Sequence, residues 1–184
     1  MKTIYQKDDI ILKILNETYT PDVLGFYSEN RDYFDIYETD KPSNFYTYSF
    51  IHTLLNIEYN SFVKGKNIRY FLYSQKLAGD KIIGSISFTS INRTLSSCEI
   101  GYKIDHNYQH LGLGTAMLKL AKEDILKDLN IHRVQIHILP DNTASIKLAE
   151  KSGFRFEGQE YSLAKINHEW HDHLRYSLIT DYVD

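Results

Sequence analysis

The stretch that decides the fold runs from His106 to Leu126, HNYQHLGLGTAMLKLAKEDIL. Two glycines, Gly112 and Gly114, stand at the mouth of a segment in which Leu118, Ala121, Ile125 and Leu129 recur three, four and four positions apart. That spacing is one buried face of a helix. The first turn of a helix carries N–H groups with no internal acceptor, and the helix dipole makes that end positive. With glycines in place of side chains that would block the approach, such an end reads as a cradle for a phosphate or pyrophosphate, the alternative being a strained turn that happens to use two glycines.

Two phosphate templates do not fit. The dinucleotide fingerprint G-x-G-x-x-G has Met117 where its third glycine belongs, and the preceding strand lies deep in the chain rather than opening a βαβ unit. A P-loop needs a lysine directly after its last glycine, and no lysine follows Gly114 before Lys119.

Outward from the loop, CEIGYKID reads as a strand leading in, and HRVQIHIL as a strand leading out of the central helix. DNTASIKLAEKSGF reads as a second helix after it, capped by Asp141 or Asn142 and closed by Gly153. EYSLAKI and HDHLRYSLI follow as a hairpin turned at NHEW. Towards the N-terminus, Ile10–Leu15 is a first strand, and TPDVLGFYSENRDYF a helix with Thr20 as N-cap and Pro21 in its first turn. SNFYTYSFIHTLLNIEYNSFVKG is a further helix presenting Phe50, Leu54 and Ile57 on one face, with Gly65 as its stop. IRYFLYSQ and KIIGSISFTS are strands joined by a turn at KLAGDK. Strand, two helices, three strands, helix, strand, helix, two strands is neither strict βαβ alternation nor all-β. It predicts an α/β mixed sheet with helices on its faces.

The 184 residues suit one domain, read here as 1–184 without a linker or repeat. No apolar run reaches the roughly 18 residues of a membrane span, and a net charge of −3 gives no reason to expect nucleic acid. The N-terminal stretch lacks signal-peptide features, and Cys98, the single cysteine, excludes an internal disulfide. Both predict a cytoplasmic protein. Cys98 lies in a strand-like run and reads as a core thiol before a nucleophile. The HEWHDH stretch is not a zincin site, because His168 and His171 are three apart rather than four; no metal is expected. His137 alternates with Gln135 and Leu139 along its strand, which makes it a core or cleft-lining residue.

With these motifs in order, the sequence resembles the GNAT superfamily of acetyl-coenzyme A-dependent N-acetyltransferases. Gln109-x-x-Gly112-x-Gly114 is similar to its coenzyme A pyrophosphate loop, Asn142-x-x-Ser145 followed by Gly153-Phe154 to its second motif, and NHEWHDHLRYSL to the final hairpin of the branch that acetylates ribosomal-protein N-termini. YSENRDYF resembles that branch's first helix; residues 38–80 match least.

The resemblance implies a mostly antiparallel central sheet, splayed at a cofactor cleft and flanked by helices. It implies that the backbone of Tyr102, Lys103 and Ile104 pairs with the pantetheine arm of acetyl-coenzyme A. It also implies that the N–H groups of Gln109, His110, Leu111, Gly112, Leu113, Gly114 and Thr115 hold its pyrophosphate. Asn142 and Ser145 fall where the second motif touches the cofactor, although Asn142 reads equally as a helix cap. Glu99, ten positions before Gln109, is the candidate proton acceptor, the alternative being a salt-bridged glutamate at the cleft edge. Asn30 and Arg31 are candidates for the acceptor end, Arg31 also for a structural ion pair. Many relatives carry a general-acid tyrosine where this chain has Ala149. The implied acceptor is a protein N-terminal α-amine, with a polyamine or aminoglycoside, or a non-catalytic coenzyme A-binding module, as alternatives. A homodimer is implied by the same resemblance.

Overall fold

The computed structural model describes residues 1–182. β1 (Ile4–Lys7) and β2 (Ile10–Lys13) form a hairpin, followed by α1 (Thr20–Glu29), a one-turn helix (Arg31–Phe34) and α2 (Tyr48–Val63). β3 (Ile68–Ser74), β4 (Gly84–Asn92) and β5 (Ser97–Ile104) come next. α3 (Leu113–Leu120) continues through a π-helical turn (Ala121–Ile125) into a last turn (Leu126–Asp128). β6 (Arg133–Ile138), α4 (Thr143–Lys151), β7 (Arg155–Ile166) and β8 (Glu169–Ile179) follow. The eight strands form one sheet in the order β1-β2-β3-β4-β5-β6-β8-β7. Every neighbouring pair is antiparallel except β5–β6.

Alternation along β3 assigns the two faces. Ile68, Tyr70 and Leu72 pack with α3 residues such as Met117 and Ile125, whereas Phe71 and Tyr73 pack with Phe26 of α1 and with Ile51 and Leu55 of α2. The helices therefore cover both faces, and each fully buried Leu, Ile or Phe contributes about 1.5–3 kcal/mol of transfer free energy. Leu118, Ala121, Ile125 and Leu129 are all 5% exposed or less, as their spacing predicts. Cys98 is buried in the same layer, and burial pushes its thiol up to about 12, far from a reactive thiolate.

Several elements differ from the sequence expectation. β1 is additional, joined to β2 by a turn in which Asp8 takes φ 53°. α2 buries Ile51, Leu55 and Phe62 rather than Phe50, Leu54 and Ile57; Ile57 is 60% exposed. The helix carries two adjoining apolar stripes, and contacts with Phe26 and Phe71 turn the Ile51–Leu55 stripe inward, leaving Phe50 and Leu54 at its margin. Thr20 is the first residue of α1 rather than its cap, because a 3-10 turn capped by Asn16 precedes it and Thr20 Oγ1 donates to the Glu17 carbonyl. KLAGDK is not a plain turn: Gln75–Ala78 makes one helical turn capped by Ser74. The last hairpin turns on Asn167 and His168 alone, at φ 50° and 67°, and Glu169 and Trp170 belong to β8. Two left-handed residues are what a two-residue hairpin turn requires.

Candidate functional site

β5 and β6 are paired at only three positions, Ser97–Arg133, Cys98–Val134 and Glu99–Gln135. Past Glu99, β5 stays on β4 as far as Ile104–Gly84 while β6 stays on β8 as far as Ile138–Leu174. The two strands part. Between them lies a cleft of about 620 Å³, walled by Gly101–Ile104 on one side and Ile136–Leu139 on the other. The β5 edge facing this gap has no ladder partner from Ile100 to Ile104. An extended ligand with amide groups completes such an edge as an added strand does.

The glycine loop closes one end of the cleft. His110 and Gly112 both take left-handed backbone, φ 61° and 77°, and α3 begins directly after Gly112. The first helical bond of α3 runs from Ala116 N–H to the Gly112 carbonyl at 3.0 Å. The N–H groups of Leu113, Gly114 and Thr115 precede it and have no acceptor among the described residues. The two glycines serve different ends. A Cβ at Gly112 would meet nothing within 4 Å, so its requirements are the left-handed turn and the open space before those N–H groups. A Cβ at Gly114 would fall 2.7 Å from Leu148 Cδ2, so that glycine lets α3 and α4 approach. Orphan donors, open space and an unpaired strand edge running towards them fit a pyrophosphate joined to an amide-bearing arm.

α4 forms the far wall. Asn142 is its N-cap: Oδ1 accepts the Ser145 N–H at 3.1 Å. Tyr102 reaches from β5 to donate its hydroxyl to the Ser145 carbonyl at 3.2 Å, and burial pushes that phenol up to about 12. Asn142→Ala is expected to lower the unfolding free energy by about 1 kcal/mol. Asn142→Asp, which retains the capping oxygen, should stay close to the parent in urea unfolding.

The opposite end of the cleft is lined by Tyr33, Tyr37, Glu38, Arg69, Lys103, His137 and His173. The Lys103 ammonium pairs with Glu38 and lies 5.0 and 5.2 Å from the ring centres of Tyr27 and Phe34. Burial depresses its pKa to about 8. Burial works to raise the Glu38 carboxyl, but Lys103 and Lys41 more than overcome it and hold the group below the usual carboxylate range. Arg69 is buried against Glu58 at 2.8 Å and the Tyr27 hydroxyl at 3.3 Å. His137 Nε2 lies 3.0 Å from Glu160 Oε2.

Of the residues singled out from sequence, Tyr102, Lys103, Ile104, Gln109, His110, Gly112, Leu113, Gly114, Thr115, Asn142 and Ser145 all line this one cleft. Leu111 points outward, 55% exposed. Glu99 is half-buried at the closed apex, paired in register with Thr89 and Gln135, and is not among the lining residues. Asn30 is 1% exposed and does not line the cleft. Its Nδ2 donates to the Phe26 carbonyl at 3.0 Å and its Oδ1 accepts the His106 N–H at 2.9 Å, tying α1 to the start of the glycine loop. Arg31 lies outside, stacked 4.6 Å from the Tyr46 ring centre and 3.7 Å from Asp35. Glu38, Arg69 and His173 were not singled out. Glu38 and Arg69 fall in the poorly matching 38–80 stretch, and His173 reads from sequence as one more alternating strand position.

A mixed sheet parting beside a strand–glycine loop–helix defines one class of enzyme. The chain belongs to the GNAT family of N-acetyltransferases: the model of the acetyltransferase (GNAT) domain matches residues 11–155. It is 26% identical over 175 residues to the ribosomal protein uS5-alanine N-acetyltransferase of Escherichia coli (strain K12), across 94% of this chain and 89% of that one. The structure superposes on the ribosomal-protein-S5-alanine acetyltransferase of Vibrio fischeri with a TM-score of 0.88 at 22% identity, covering 100% of both chains. It superposes on RimJ of Mycobacterium smegmatis, solved in complex with CoA-disulfide, with a TM-score of 0.86 at 16% identity, over 94% of this chain and 82% of that one.

Proposed function

We propose that this chain transfers the acetyl group of acetyl-coenzyme A to the α-amine of a protein or peptide N-terminus. The observation that carries the reading is the open β5 edge, which runs from three orphan N–H groups into a cleft closed at the Glu99–Gln135 pair. In this reading the N–H groups around Gly112–Thr115 hold the pyrophosphate, and the backbone of Tyr102–Ile104 takes the pantetheine amides. Asn142 and Ser145 flank the arm from α4. Acetyl-coenzyme A supplies an activated acyl carbon. The protein positions the amine against it and sets a backbone N–H of the open β5 stretch where the thioester oxygen gains charge.

Magnitudes favour an α-amine. With a pKa of about 7.8, roughly 15% of it is neutral at pH 7, whereas a lysine amine near 10.4 is only about 0.04% neutral. A modest proton acceptor then suffices. Two side chains on the same face of the sheet qualify: Glu99, at the apex, and His137, in the cleft. The general-acid position of many relatives is Ala149, fully buried here. A thiol of pKa about 8.5 leaves as thiolate without it. Charge also argues against a polyamine. Among the described residues, the cleft lining holds one carboxylate, Glu38, already paired to lysines, against Arg69, Lys103, Lys147 and Lys151. The identity with the uS5-alanine enzyme supports a protein acceptor.

The test follows free-thiol release from acetyl-coenzyme A with Ala- and Ser-initiated peptides, their N-terminally blocked forms, and spermidine. Release with the free N-termini alone is the expected result. Turnover of spermidine alone would replace the acceptor. Tight cofactor binding with no release from any acceptor would leave a coenzyme A-binding module.

A further inference from the structure

The reading above leaves two candidates for the proton acceptor, and one of them, His137, is half of an imidazole–carboxylate pair. We propose that His137, backed by Glu160, receives the proton that the acceptor amine sheds as it attacks the thioester. The assignment rests on the acetyl-transfer reading. His137 follows Gln135 by two residues on β6, so its ring lies on the sheet face of Gln135 and Glu99, one step past the point where the strands part. It lines the cleft with 22% of its side chain exposed. Behind it, Glu160 of β7 sits 3.0 Å from Nε2, and its other oxygen accepts from Arg175 Nη1 at 2.7 Å. A neutral imidazole takes up a proton, and the carboxylate then offsets the charge of the imidazolium. A carboxylate is the weaker base of the two side-chain types. Glu99 also stands outside the cleft lining.

The proton balance is simple. The neutral amine forms the N–C bond, the C–S bond breaks, and coenzyme A leaves as thiolate. One amine proton passes to His137 and from there to solvent or the departing thiolate, so that amide and free thiol are the only products. Glu160 positions the ring and touches no reactant.

Other titratable groups stand on the elements around the cleft. Glu99 and Lys103 stand on β5, His173 and Arg175 on β8, Glu157 beside Glu160 on β7, and Lys151 across the cleft on α4. Burial lowers the pKa of His173, keeping that ring neutral, and Lys103 titrates near 8. An acid limb in peptide activity that disappears when His137 is replaced is the signature of this role.

The experiment measures the pH profile of kcat for an Ala-initiated peptide, with acetyl-coenzyme A binding followed by calorimetry. His137→Gln is expected to lower kcat for the peptide about 100-fold and to erase the acid limb. Cofactor affinity and the unfolding midpoint should stay close to the parent's, which a misfolded variant would not allow. Glu160→Gln removes the charge that favours the imidazolium, so the limb should move to lower pH. Glu99→Gln should keep the limb. Added imidazole should restore part of the activity of His137→Gly. Peptide turnover by His137→Gln within about threefold of the parent, or an intact limb, would overturn the assignment. A parent protein that binds acetyl-coenzyme A but does not acetylate the peptide would remove the acetyl-transfer reading, and this role with it.

Discussion

Gly112→Val should abolish the rise in Tm that acetyl-coenzyme A is expected to give the parent protein. Gly112 sits at φ 77° with open space where a side chain would begin. A β-branched residue there carries about 1–3 kcal/mol of backbone strain and places an isopropyl group before the orphan N–H groups of Leu113, Gly114 and Thr115. A loss in affinity of at least 100-fold, about 2.7 kcal/mol, is expected, large enough to flatten the thermal shift. Gly112→Asn separates the two effects, since asparagine tolerates left-handed backbone. It should fold close to normally and lose affinity only through the bulk of its side chain. A valine variant with the parent's ligand-induced shift would place the phosphates elsewhere.

Glu38→Gln should destabilise the protein by about 3 kcal/mol, the low end for breaking a buried ion pair. For a chain of this length that is a fall in Tm of roughly 10 °C. The variant leaves the Lys103 ammonium, 16% exposed in its side chain, without its nearest counter-charge. Only the faces of Tyr27 and Phe34 then remain to stabilise it. Lys103→Met in the same chain should recover most of the loss, because the buried charge goes with its partner. The pH dependence has a definite sign. Lys103 has a folded pKa of about 8 against 10.5 for an ordinary lysine, so the unfolded chain binds the proton more tightly. Its contribution to stability is flat below pH 8 and rises with pH between 8 and 10.5. Glu38 acts in the acid range: its lowered carboxyl contributes stability present above the ordinary value of 4.5, which is lost as pH falls through the folded one. Urea unfolding at pH 7 and pH 9 measures the first, and at pH 7 and about pH 3 the second. Equal stability of parent and Glu38→Gln at pH 7 would mean the pair contributes nothing.

The parts of this molecule that follow from local chemistry were legible in the sequence. Leu118, Ala121, Ile125 and Leu129 mark the buried face of α3 by spacing alone, and Asn142 caps α4 as its position before the helix suggests. Gly112 and Gly114 were read together as clearance for a phosphate, yet they answer to different neighbours, and only coordinates place Leu148 against Gly114. The phase of α2 was missed because its two apolar stripes are equally good locally; the choice between them is made by Phe26 and Phe71, distant in sequence. Asn30 shows the same limit at the site. It was singled out for the acceptor end, but its amide is spent on Phe26 and His106, a contact 76 residues away along the chain. The acceptor end depends on such pairings throughout: Glu38 with Lys103, Arg69 with Glu58, His137 with Glu160. No periodicity encodes these, since each joins two elements whose approach is decided by the whole sheet.

The three residue pairs between β5 and β6 have a mechanical consequence. They are a short seam between a five-stranded panel, β1 to β5, and a three-stranded panel, β6, β8 and β7. A hydrogen-bonded join so brief is where two panels can move relative to one another at least cost, and Cys98 is packed within it. A ligand lying along the open edge of β5 lengthens the seam from outside the chain, so the molecule's stiffness is set in part by what it binds. Anything that wedges the seam, such as a bulkier side chain at position 98, would disturb the cleft from its closed end without touching a residue that lines it.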